Sequence, residues 1–93
     1  GVSKMPTMDD LGKLASQLYE GNPSIGAYQS KNALQWDWDA ATALGFISFN
    51  FYLWSGEESR SNRAYARSFY TAYSHYDNYN RYYSDIQAVC IAD

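Results

Sequence analysis

Leu11, Leu14, Ala15, Leu18 and Tyr19 repeat at the three-and-four spacing of a helix and form one apolar stripe. Thr7 precedes the stripe as an N-cap, and Asp9 and Asp10 put acids in the first turn, where they suit the helix dipole. Gly21 supplies a stop and Asn22-Pro23 blocks continuation, so the pattern predicts a helix over residues 8–20. Residues 21–36 are rich in Gly, Pro, Ser and Asn and read as a connecting loop. In Trp36-Asp37-Trp38-Asp39, Asp39 is the expected N-cap of a short helix over 40–44, closed by Gly45. From Phe46 the period becomes two: Ile47, Phe49, Phe51 and Leu53 alternate with Ser48, Asn50, Tyr52 and Trp54, as in a strand. Ser55-Gly56 marks a turn or bulge, and residues 63–71 are strand-prone with Phe69 as the inward anchor. Residues 74–80, with His, Asp and two Asn, read as turn-like, and 86–92 as a closing strand. Two helices followed by several strands predict a single α+β domain.

The stretch 59–85 carries seven of the ten tyrosines and no Leu, Ile, Val or Met. Such a tract cannot build a core by itself, so it reads as a polar, aromatic surface carried on a scaffold made elsewhere. Tyrosine gives stiff contact area with a polar tip, while Ser and Asn supply adaptable hydrogen bonds, the composition of a binding surface. The competing reading is a flexible Asn/Tyr-rich loop.

Charge and candidate chemistry narrow the function classes. A net charge of −3 argues against a general nucleic-acid binder. Arg60, Arg63, Arg67 and Arg81 nevertheless make the tyrosine-rich tract locally basic. Cys90 is the single cysteine and fits a small buried thiol, so no intrachain disulfide is possible. His75 is the single histidine, and no Cys/His spacing offers a metal site; Asp37 and Asp39 as a calcium pair lack a third ligand. Glu57 and Glu58 are adjacent, so on a strand they face opposite sides and do not share a proton; a capping or turn role is expected instead. No nucleophile elbow and no phosphate loop is present. The sequence therefore predicts a non-enzyme without metal or cofactor. It shows no transmembrane run or signal peptide, and its start at Gly1 suggests a processed product.

Four segments resemble a bacterial C-type-lectin-like domain family. They are Lys4-Met5-Pro6-Thr7-Met8-Asp9-Asp10-Leu11, Tyr52-Leu53-Trp54-Ser55-Gly56-Glu57-Glu58, Asn62-Arg63-Ala64-Tyr65 followed by Phe69, and Ile86-Gln87-Ala88-Val89-Cys90-Ile91. Ser55-Gly56 departs from that family's Ser-Ser-Thr, and Gln87-Ala88 lacks its closing-strand arginine. The paired disulfides and sugar site of animal C-type lectins are absent, so calcium-dependent sugar binding is not implied. Some members of the family are variable proteins of diversity-generating retroelements, in which error-prone copying at adenines rewrites the end of the gene. Mutating the first two bases of AAC codons cannot produce Lys, Glu, Gln, Trp or Met. None of these occurs in 59–85, and all occur before it.

The resemblance implies a compact C-type-lectin-like fold displaying 59–85 as a variable ligand-binding segment at a cell surface, on a secreted protein, or on a fibre or phage particle. Tyr70, Tyr73, His75, Tyr76, Asn78, Tyr79, Asn80, Tyr82 and Tyr83 are the leading contact residues, with Ser59, Ser61, Arg63, Tyr65 and Arg67 as further ones. Tyr65, Phe69 and Tyr70 serve equally well as core. The partner is a protein or glycan ligand. Alternatives are a pilin-like assembly subunit of a surface fibre and a lectin of fixed carbohydrate specificity.

Overall fold

The structure, a computed structural model, describes residues 3–46, 51–89 and 91–92. The expected strand positions Ile47 to Asn50 and the thiol of Cys90 lie outside the described residues. Nine elements follow in order: β1 (Ser3–Lys4), α1 (Met8–Leu18), β2 (Lys31–Leu34), α2 (Trp38–Ala43), β3 (Tyr52–Arg60), β4 (Arg63–Tyr70), β5 (Ala72–Asn80), β6 (Ile86–Gln87) and β7 (Ile91–Ala92). This is a small α+β fold. Among the described residues no helix is long and apolar enough to cross a membrane.

Local chemistry sets α1. The Thr7 hydroxyl accepts from Asp10 N at 3.1 Å, and the Asp10 carboxylate accepts from Thr7 N at 2.9 Å, a reciprocal capping box. Glu57, on β3, accepts from Met8 N at 2.5 Å and adds a second anion at the same helix end. Its neighbour Glu58 instead pairs with Arg81 at 2.8 Å, so the adjacent acids do part company. Hydrogen bonds from Thr7 hold the Asp10 carboxyl below the usual carboxylate range. A depressed carboxyl stabilises the fold above its unfolded pKa, and that contribution is lost as pH falls through the folded value. Thr7→Ala is expected to cost about 1 kcal/mol at pH 7. Asp10→Asn should flatten the acid limb of a stability-against-pH curve measured by urea unfolding. An acid limb unchanged in Asp10→Asn would contradict this role of the cap.

One five-stranded sheet has the order β2-β5-β4-β3-β6. All its pairs are antiparallel except β3 with β6. The short β1 and β7 pair separately and bring the two ends of the chain together. The helices gather on one face of the sheet, where Met8, Leu11, Ala15 and Leu18 of α1 meet Tyr19, Ile25, Trp36, Ala41, Leu53 and Phe69 in one cluster. Gly12 lets the 25–26 backbone close on α1, since a Cβ there would lie 2.7 Å from Ile25 O.

Several expectations need correction. The segment 21–36 is not wholly loop, because it contains β2, the edge strand bonded to β5. Its register shifts between Asn32 and Leu34, where Ala33 takes φ +61°. The cap of α2 is Asp37, whose carboxylate accepts from Ala40 N at 3.1 Å; Asp39 falls in the first helical turn. Residues 74–80 are not a turn. They form most of β5, paired with β4 over its whole length from Arg63↔Asn80 to Tyr70↔Tyr73. The turn or bulge expected at Ser55-Gly56 does hold, as a bulge: the register shifts between Trp54 and Glu58 within a continuous β3.

Candidate ligand-binding face

Register assigns every side chain of the β3–β4–β5 meander to one of two faces. Leu53, Arg67 and Tyr76 share one cross-strand row, while Phe69 pairs with Ser74 and Tyr65 with Asn78 on the same side. This is the face under the helices. Tyr52, Ser68 and His75 form a row on the opposite face. Beside it lie Trp54, Ala66 and Asp77, then Ala64 with Tyr79, and at the turn Tyr70 with Tyr73.

On that outer face the central strand β4 offers only small side chains, Ala64, Ala66 and Ser68, until its end at Tyr70. Rings from β3 and β5 therefore lean over it and meet. Tyr52 lies 5.9 Å and Trp54 6.4 Å from Tyr79, both edge-on. Tyr52 also meets Tyr70 at 5.4 Å, with the two hydroxyls 2.5 Å apart. Tyr70 continues to Tyr73 at 5.8 Å, Tyr73 to His75 at 4.6 Å, and Tyr79 to Tyr83 at 5.5 Å. Seven rings thus make one connected layer. Tyr73 and Tyr83 remain 40% and 49% exposed. The Tyr70 hydrogen bond first, and burial second, raise the Tyr52 phenol above its ordinary value. Burial raises Tyr79 likewise. Both therefore stay neutral near pH 7 and keep a proton to donate.

The turn that holds the layer is fixed from below. The Tyr19 hydroxyl reaches through the core to Tyr70 O at 2.8 Å and Tyr73 O at 2.9 Å. Burial pushes its pKa up, so it remains a donor. Between these two carbonyls Ala72 takes φ +75°, a left-handed conformation that favours glycine. Two contacts with α1's C-terminal cap residue thus anchor a turn whose own backbone is strained.

Of the residues expected to contact a ligand, Tyr70, Tyr73, His75, Tyr79 and Tyr83 are in the outer layer. Ser61, Arg63, Asn80 and Tyr82 are exposed at the ends of strands, Tyr82 by 89%, and Ser59 is half-buried near the end of β3. Asn80 accepts from Tyr82 N at 2.9 Å and shapes the loop after β5. Tyr65, Tyr76 and Asn78 lie on the core face, where Tyr65 and Tyr76 pack against the exposed Tyr28 at 5.0 and 5.8 Å. The Tyr28 hydroxyl donates to Glu57, and that bond raises its pKa to about 12.

Arg67 is a correction, since it is wholly buried rather than displayed. Its guanidinium donates to Gly26 O at 2.9 Å, Ala27 O at 3.0 Å, Gln29 O at 3.1 Å and Ser74 Oγ at 2.8 Å. Burial lowers its pKa to about 10, which leaves it charged at neutral pH. Tyr52 and Trp54 join the layer without having been expected there, although their alternation with Phe51 and Leu53 already put them on the face opposite the core.

The Ser68 and His75 side chains face each other across β4 and β5, yet Ser68 Oγ has no hydrogen-bond partner. The two therefore do not form a nucleophile–base pair in this geometry. Among the described residues no three His, Cys, Asp or Glu side chains gather as metal ligands. No family model, no curated protein and no solved structure matches this chain.

Proposed function

We propose that this chain is a non-enzymatic recognition domain, receptor- or adhesin-like, that binds a protein or glycan ligand with the outer face of its sheet. The observation that carries the reading is the connected layer of seven rings on the face away from both helices. An uncovered aromatic layer is costly in water unless it has a partner. Phenols combine apolar area, few rotatable bonds and a hydroxyl, which suits them to contact many surfaces. Ser61 and Tyr82, exposed in the turns that follow β3 and β5, add polar groups beside the layer.

The resemblance to C-type-lectin-like variable proteins belongs to this proposal, as does a place at the cell surface or on a secreted particle. Alternation supports it in one respect. Residues of 59–85 on the core face are held by packing, while those on the outer face rest on small β4 side chains and can change with little effect on the scaffold.

Tyr73, Tyr79 and Tyr83 replaced together by Ser test the reading. Protein and glycan arrays probed with the wild-type chain should give a ligand, and the triple variant should bind it at least about 100-fold more weakly. The melting temperature should change by only a few degrees, roughly that of exposed substitutions. A collapse of the fold would make these rings core. Self-association of the wild type, lost in the triple variant, would instead indicate an assembly surface.

A further inference from the structure

Two acids share the outer face with the rings. Register pairs Glu58 with Ala64 and Asp77 with Ala66, and both alanines belong to that face. Glu58 is met by Arg81 at 2.8 Å. Asp77 is exposed, and its carboxylate accepts only a backbone hydrogen bond, from Asn78 N at 2.7 Å. Among the described residues no cation pairs with it. Arg60 and Arg63 do not serve, because their register with each other and with Asn80 sets them on the opposite face.

Rings flank Asp77 on its own face. One row crosses the three strands as Trp54, Ala66 and Asp77, with only a methyl group at its centre. His75 and Tyr79 stand two residues to either side of Asp77 on β5, about 7 Å away along the strand. Burial first, and the Asp77 charge second, raise the Tyr79 phenol, so the carboxylate acts on that ring. The faces of aromatic rings are themselves negative and attract cations. The unmet charge on this face is therefore a negative one, set among groups that favour the same kind of partner.

We infer that the outer face holds an arginine of a partner polypeptide, its guanidinium lying on the rings beside Asp77 and pairing with that carboxylate. A guanidinium is planar, stacks on aromatic faces, and carries five donors and no acceptor. Lysine supplies the charge without the plane. A sugar hydroxyl can also donate to Asp77, but it leaves the charge uncompensated. The carboxylate or sulfate groups of charged glycans are repelled by Asp77 and by a net charge of −3. This inference rests on the recognition reading above and specifies the chemistry of its ligand, for a chain with Asp at position 77.

The test is panning of a random dodecapeptide library against the whole domain at pH 8, where an ordinary imidazole is neutral. Enriched peptides, resynthesised with acetylated N-termini, should carry arginine. Their affinity should fall roughly tenfold or more in Asp77→Asn, and as much when the peptide arginine is replaced by neutral citrulline. The two changes together should cost little more than either alone, as for groups in direct contact. Asparagine keeps an acceptor for Asn78 N, so the melting temperature of Asp77→Asn should stay within a few degrees of wild type. Arg60→Gln/Arg63→Gln, on the opposite face, should leave affinity unchanged. Peptides without arginine, peptides indifferent to Asp77, loss of affinity in the Arg60/Arg63 variant, or no enriched peptide at all overturn the inference. Peptides indifferent to Asp77 but lost when Tyr73, Tyr79 and Tyr83 are replaced leave the recognition face standing. Binding confined to glycan probes overturns the polypeptide partner and likewise spares that face.

Discussion

Arg67→Met is expected to destabilise the domain by on the order of 3–5 kcal/mol, as when one partner of a buried polar set is removed. The side chain is wholly buried, and methionine fills much of the same space. What methionine lacks is donors. Ala27 O, Gln29 O and Ser74 Oγ would lose this donor together, and Gly26 O would keep only Gln29 N at 3.2 Å. Each buried acceptor left unmade costs about 1–3 kcal/mol, less where water can reach it. In a domain of this size such a loss corresponds to a fall in Tm of roughly 15–30 °C. Arg67→Lys should fall between, because a single ammonium cannot span acceptors that a planar fork reaches on two edges. Urea unfolding of the three proteins gives the comparison. A loss below about 1 kcal/mol in Arg67→Met would mean that the 26–29 loop does not depend on this residue.

Phe69→Ala is expected to cost about 3–5 kcal/mol, and Tyr73→Ala less than about 1 kcal/mol, although both belong to one hairpin. Phe69 has no exposed surface and stacks on Phe51 at 4.9 Å within the helix-side cluster. Alanine there leaves a cavity that a close-packed core cannot refill. Tyr73 stands on the other face, 40% exposed, and its ring meets Tyr70 and His75. The difference between the two variants measures the two-sidedness of the sheet. Equal losses would mean that the outer rings are structural.

How far each element was legible depended on whether its cause is local. The α1 cap and stripe are set within a few residues, so Thr7, Asp10 and the Leu11–Leu18 spacing were enough. The α2 cap was misplaced because Asp37 and Asp39 are equally good local caps. The choice is made at a distance: Trp36 is buried and bridged to Tyr19, and Asp37 N donates to Leu18 O at 2.9 Å, which fixes the chain up to Asp37. β5 was hidden by its Ser, His, Asp and Asn content, since turn chemistry is read from residue type while strand pairing is imposed by β4. Composition did single out the stretch that supplies most rings of the outer layer, through its tyrosines. It could not separate Tyr65 and Tyr76 from Tyr73 and Tyr79, because that requires register. Arg67 was placed on the surface for a related reason, a charged residue being read as exposed unless its acceptors are known.

Sequencing the gene and its surroundings in several isolates tests the display face most directly. The account predicts that codons vary at outer-face positions such as Tyr70, Tyr73, His75, Asp77 and Tyr79, while Leu53, Arg67, Phe69 and Ser74 stay fixed. A nearby repeat differing almost only at adenines, beside a reverse-transcriptase gene, would identify the source of that variation. A segment identical in every isolate, or variation centred on Arg67, Phe69 and Ser74, would contradict a diversified recognition face on this sheet.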